Sequence, residues 1–150
     1  YKEVSEIGAG IGKAAVYASR YGIKYVMYDL PLVNVVQGWY LLKAGLDVVL
    51  YGEEGEGIKV LPYWEFAGAD VVLNTDSFAE MDRSIVKDYL QKISGVLLSI
   101  NQEEDGANGG YRHVLVREVA AEVGLTRVVR SPFWLRRDYV EELYISQKRG

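Results

Sequence analysis

Where the first apolar run gives way to the first helical pattern, the chain reads Glu6-Ile7-Gly8-Ala9-Gly10-Ile11-Gly12. A glycine has no Cβ, so a strand that ends in alternating glycines turns tightly and lets another molecule approach its backbone. The amides at the start of the next helix point at whatever sits there. Tight turning alone needs fewer glycines than three, so a ligand is the better reading of this stretch. It makes Val4–Ile7 the first strand of a sheet, and the rest of the chain is read around it.

Ile11, Ala15, Ala18 and Gly22 recur at helical spacing, which predicts a first helix over Ile11–Tyr21 with small residues facing the sheet. Lys24–Tyr28 is a second strand ending at Asp29. Leu30-Pro31 opens a second helix, with Leu32, Val35, Val36, Trp39 and Leu42 on one face. Asp47–Tyr51 reads as a third strand. Ile58–Leu61 is a second extended piece, read as a hairpin partner, and which of the two joins the main sheet stays open. Ala69–Asn74 and Gly95–Ile100 are nearly all apolar, as strands buried on both faces are. Helices follow each, around Ile85–Ile93 and Leu115–Val123, with Asp82 as a candidate cap. Thr126–Ser131 and Glu142–Gln147 have no helix between them and predict a hairpin on the sheet edge. The alternation implies a doubly wound α/β sheet with right-handed crossovers. In such sheets ligands bind at the carboxyl ends of the strands.

The 150 residues suffice for one domain with its own core. A net charge of −4 argues against general nucleic-acid binding. With no cysteine, a disulfide, a thiolate metal site and a cysteine nucleophile are all excluded. No apolar run is long enough for a membrane-spanning helix, and a cytoplasmic location is expected. The chain opens at Tyr1, within three residues of a strand, so it is expected to lack an upstream N-terminal segment.

Two cofactor classes use a glycine turn of this kind. A dinucleotide fingerprint wants a third glycine where Lys13 stands, and neither Tyr21 nor Tyr28 is followed four residues on by the lysine of the short-chain reductases' Tyr-x-x-x-Lys pair. Asp29, twenty-one residues after Gly8, suits the hydroxyls of a ribose and serves either class. Its alternative is a carboxylate answering a helix dipole. The acid two residues before the first glycine, together with the C-terminal hairpin, resembles the class I S-adenosylmethionine-dependent methyltransferases. That resemblance implies a seven-stranded Rossmann-like sheet of order 3-2-1-4-5-7-6, with the seventh strand antiparallel. It implies that Glu6, Gly8, Ala9, Gly10 and Gly12 surround the methionine half of S-adenosylmethionine. Asp29 with Leu30 would hold the ribose, and Asn74 and Thr75 would lie beside the amino group and sulfonium.

Tyr28-Asp29-Leu30-Pro31 is similar to the second-strand motif of small-molecule O-methyltransferases, and the run Asn74–Met81, Ser99-Ile100-Asn101, Trp134-Leu135 and Tyr139–Glu142 together resemble the sugar O-methyltransferases. A small-molecule acceptor, a sugar hydroxyl, is the implied substrate. An NAD-dependent oxidoreductase or epimerase is the rival, and a catalytically silent cofactor-binding domain is a third possibility. Asp76 and Glu80 fall just past a buried strand on the ligand edge, where an acceptor would meet the methyl group, although Ser77–Glu80 also fits a capping box. His113, the only histidine, has the natural range for a base and opens a helix at that edge; its alternative is a solvated first-turn residue. Glu103, Glu104 and Asp105 could join Asp76 around a divalent cation, but solvated acids are the better reading, and no metal is assigned. Arg127, Arg130, Arg136 and Arg137 read as a charged face before a phosphate site. Trp64, Phe66, Trp134 and Tyr139 are core by default or else walls of a pocket for adenine or a sugar face, and Tyr51-Gly52 is the alternative adenine contact, the choice between them staying open.

Overall fold

The structure, a computed structural model, describes residues 3–103 and 114–147, and the chain divides into two compact units at Ala67. The first unit holds strands β1 (Glu3–Ile7), β2 (Lys24–Asp29), β3 (Val48–Leu50) and β4 (Ile58–Pro62), with helices α1 (Lys13–Ser19) and α2 (Pro31–Lys43). All its pairings are parallel, in the order β3-β4-β2-β1. The register sets Ile7 beside Tyr28 and Asp29 beside Pro62, so the carboxyl ends share one edge. Ala15, Ala18 and Leu41 pack over Tyr25, Met27, Ile58 and Val60.

Helix α1 is shorter than the expected Ile11–Tyr21. Gly8, Gly10 and Gly12 all take positive φ, 69°, 56° and 87°, which holds the backbone out of the helix until Lys13. A Cβ on Gly12 would lie 3.3 Å from the Met27 thioether and 3.5 Å from Leu41. That side chain can shift, so backbone strain dominates. Gly12→Ala is expected to destabilise the fold by about 1–2 kcal/mol, read as a lower urea midpoint at unchanged slope. An unmoved midpoint would contradict the left-handed assignment.

One expectation fails in this unit. Ile58–Leu61 is no hairpin partner: β4 pairs parallel with both β2 and β3, and it takes the place expected of the third strand. The return over Tyr51–Gly57 is short for a parallel connection. It is possible because Gly52 and Gly55 have positive φ, and because Gly57 passes where a Cβ would meet the Asp47 carbonyl at 2.8 Å. Helix α2 carries its five apolar residues on one face, as expected, and that face is turned outward. Leu32, Val35, Val36, Trp39 and Leu42 are exposed, and Asn34, Gln37, Gly38 and Leu41 point inward. Gly38 sits so near Leu50 that a Cβ there would be 2.9 Å from it, which fixes the phase of the helix.

The second unit holds β5 (Ala69–Thr75), α3 (Arg83–Gln91), β6 (Ile93–Gln102), α4 (Val116–Glu122), β7 (Leu125–Pro132) and β8 (Tyr139–Ser146). Its order is β5-β6-β8-β7, with β5 parallel to β6 and with β8 antiparallel to both β6 and β7. The C-terminal hairpin therefore forms as expected. Including β3, the described residues contain eight strands, one more than the seven expected. Asp82 does cap α3 by position, but its side chain makes no capping bond, and Ser77 and Glu80 form no capping box. Arg127 and Arg130 of the hairpin are exposed but both reach one buried carboxylate, whereas the Arg137 side chain is 94% exposed. Buried Glu142 accepts from Arg127 at 2.9 Å, Arg130 at 2.8 Å and the Tyr144 hydroxyl at 2.6 Å.

Candidate functional site

In the first unit the glycine turn is stitched to the ends of β1 and β2. The Gly8 amide donates to the Tyr28 carbonyl at 2.9 Å, and the Gly12 amide donates to Ala9 at 2.9 Å. Gly10 has open space where its Cβ would stand. Asp29 ends β2 beside this turn. Its Oδ1 accepts from the Leu30 amide at 2.8 Å, and its Oδ2 accepts from the Gln37 side chain at 2.8 Å. The Ala9 amide donates to the same carboxylate. Burial pushes the Asp29 carboxyl above its usual range, and these donors pull against that.

Gln37 is the residue that sequence reasoning missed. It is fully buried, and its Nε2 bonds both Asp29 and the Gly10 carbonyl, the latter at 3.0 Å. Its Oε1 accepts from Asn34 at 2.9 Å, and the Asn34 Oδ1 is buried without a partner. The signal was present: two amides at i, i+3 in an otherwise uncharged apolar helix. One helix face thus ties the carboxylate to the turn.

Glu6 is 4% exposed and accepts from the Tyr25 hydroxyl at 2.9 Å. Burial raises its pKa to about 7; the Tyr25 bond opposes this and the Asp29 charge adds to it. Around the same edge, Tyr51 and Trp64 meet edge to face at 6.3 Å, following the carboxyl ends of β3 and β4. Both rings are exposed, whereas Phe66 is buried against Tyr28 as core. A cavity of about 370 Å³ in this unit is lined by Glu3, Lys24, Asp47 and Ile58. It opens at the amino ends of the strands and contains none of the turn or Asp29.

In the second unit, the carboxyl ends of β5 and β6 carry a buried polar network. Asn74 Oδ1 accepts from Asn101 at 2.8 Å and from the Phe78 amide at 3.3 Å. Asn74 donates to Ser77, and Asn101 donates to Ser99 at 2.9 Å and accepts from the Ala79 amide at 3.3 Å. The network pins the single turn of 3-10 helix at Phe78–Glu80. Thr75 is exposed at the end of β5. Asp76 has φ 62°, a costly conformation for a residue with a Cβ, and its amide donates to the Ile100 carbonyl at 2.8 Å. One of its oxygens takes the Tyr139 hydroxyl and the other takes Arg136, whose guanidinium lies 4.2 Å over the Tyr139 ring. Glu80 is exposed and adds its charge to the field at Arg136 and Tyr139. Trp134, in the loop that carries Arg136, is exposed.

His113, Glu104 and Asp105 lie outside the described residues. Glu103 is described and ion-paired with Arg117 and Arg130. Burial pushes its carboxyl up, and the two guanidiniums outweigh that and hold it below the usual range. Among the described residues no cluster of three metal-ligating side chains forms. None of their helices is long and apolar enough to cross a membrane.

No family model matches the sequence, and no curated protein does. Solved structures do. Mitomycin 7-O-methyltransferase MmcR is 20% identical with a TM-score of 0.69, over 96% of this chain and 49% of that one. The pyocyanin biosynthetic protein PhzM is 13% identical with a TM-score of 0.67, over 97% and 50%. Magnesium protoporphyrin IX methyltransferase ChlM from Synechocystis PCC 6803, solved with bound SAM, is 12% identical with a TM-score of 0.68, over 96% and 69%. The chain spans about half the length of the first two. At these identities the likeness establishes the architecture: the chain has the α/β fold of the S-adenosylmethionine-dependent methyltransferases.

Proposed function

We propose that this chain binds S-adenosylmethionine at the glycine turn and Asp29 and serves methyl transfer to a hydroxyl oxygen of a small molecule, a sugar. The observation that carries this reading is the tie from Asp29 through Gln37 to the Gly10 carbonyl. It fixes a carboxylate, three of whose roughly four lone-pair sites are taken by Leu30, Gln37 and Ala9, with one left for a ribose hydroxyl beside a backbone open to close approach. The open Cβ position at Gly10 and the orphaned Asn34 Oδ1 fit a polar ligand there. Glu6 and the turn from Gly8 to Gly12 suit the methionine half, and the exposed Tyr51–Trp64 pair offers rings for the adenine.

When bound, the cofactor supplies a methyl carbon on a cationic sulfur, open to in-line displacement by oxygen. The chain then orients the acceptor and takes its proton. Asp76, with both oxygens engaged, positions Arg136 and Tyr139. Glu80 and His113 are the candidates for the base. An NAD-dependent oxidation is the weaker reading, because Lys13 stands where that fingerprint packs a glycine.

The test is transfer of labelled methyl from S-adenosylmethionine to a panel of free and nucleotide-linked sugars by the full protein, with the product located by NMR. A methyl ether on a sugar oxygen is expected. A product methylated on nitrogen or carbon, or NAD turnover instead, would overturn the reading. In the same assay, Glu80→Gln or His113→Ala, whichever removes the base, is expected to lower kcat about 10²–10⁴-fold at unchanged cofactor affinity. If both variants stay within a few-fold of the parent, neither residue is the base.

A further inference from the structure

Helix α2 is built inside out. Its inward residues Asn34 and Gln37 are spent on the Asp29 tie, and its large apolar residues face away from the unit's core. Leu32 is 79% exposed and Trp39 is 62% exposed, with Val35, Val36 and Leu42 also exposed between and beyond them. Leu32, Val35, Trp39 and Leu42 step by three, four and three, the a and d positions of two heptads, with an apolar residue at each. The five side chains expose on the order of 600 Å² per chain, at the top of what a typical monomer leaves bare and near the roughly 800 Å² per partner of a standard stable interface.

We propose that this face is a homodimer interface, in which the α2 helices of two copies pack antiparallel across a two-fold axis. The face is complementary to itself in that arrangement. Leu32 of each copy meets Leu42 of the other, and Val35 meets Trp39, the smaller residue opposite the larger. The pairing is isologous, as a closed dimer requires. The helix carries no charge from Pro31 to Leu42 and ends at Lys43. It therefore offers an oppositely charged partner nothing to match, gives an anionic lipid surface no basic fringe, and does not repel its own copy. The inference is independent of the reaction proposed above.

Sedimentation equilibrium of the chain over about 1–100 μM tests it. A dimer is expected for the parent. Trp39→Glu is expected to weaken association at least tenfold with an unchanged circular dichroism spectrum, and Ile85→Glu, on the exposed side of α3, should leave it alone. The double variant Val35→Lys/Trp39→Glu should recover association, because the antiparallel register sets each lysine against a glutamate. A monomeric parent, equal behaviour of Trp39→Glu and Ile85→Glu, or a double variant no better than Trp39→Glu would overturn the proposal.

Discussion

Asp29→Ala is expected to lower affinity for S-adenosylhomocysteine about ten- to hundredfold in a calorimetric titration. A hydrogen bond to a charged group contributes about 1.5–3 kcal/mol, so losing one to a ribose hydroxyl lowers affinity roughly ten- to hundredfold. The carboxylate is already oriented by the Leu30 amide and by Gln37, so little ordering remains to be done on binding. Gln37→Leu leaves the carboxylate in place but frees it to rotate, and a smaller loss of about threefold is expected. Affinity within a few-fold of the parent for Asp29→Ala would mean the carboxylate serves only the helix terminus and the turn.

Glu6→Gln is expected to stabilise the fold at pH 8, by about 3 kcal/mol, and to leave it nearly unchanged at pH 4.5. The Glu6 carboxyl is raised from 4.5 to about 7, chiefly by burial. The folded state therefore holds a proton that the unfolded state has released between those two values. The contribution to stability is full below about 4.5 and is lost as pH rises through about 7. A glutamine keeps the partnership with Tyr25 without the buried charge. Thermal melts of parent and variant from pH 4.5 to 8 check this, and parallel curves across that window would refute it. A cation bound beside Glu6 would pull the pKa back down. Binding of the methyltransferase cofactor near pH 6 should then release protons in the parent and not in the variant, which calorimetry in buffers of different ionisation enthalpy detects.

The turn, Asp29 and the hairpin were legible because each rests on local chemistry: glycines that permit positive φ, an acid that closes a strand, and two strands with no helix between them. The phase of α2 was not. Hydrophobic periodicity locates a stripe but not its direction, and here the inward face is amide, glycine and a single leucine, with Gln37 bonded to Asp29 and the Gly10 carbonyl. For the same reason Gln37 and Asn34 went unnoticed. The choice between β3 and β4 as the strand beside β2 turned on a seven-residue return loop whose glycines allow a parallel path that spacing alone does not suggest. The grip of Arg136 and Tyr139 on Asp76 joins residues sixty or more apart, a tertiary contact with no local signature.

The central claim is that the glycine turn and Asp29 hold S-adenosylmethionine rather than a dinucleotide. Titration of the chain with S-adenosylhomocysteine, and with NAD in parallel, tests it most directly. Saturable one-to-one binding of the first and none of the second is the predicted result. Binding of NAD with no response to S-adenosylhomocysteine would contradict the account and assign the turn and Asp29 to a dehydrogenase.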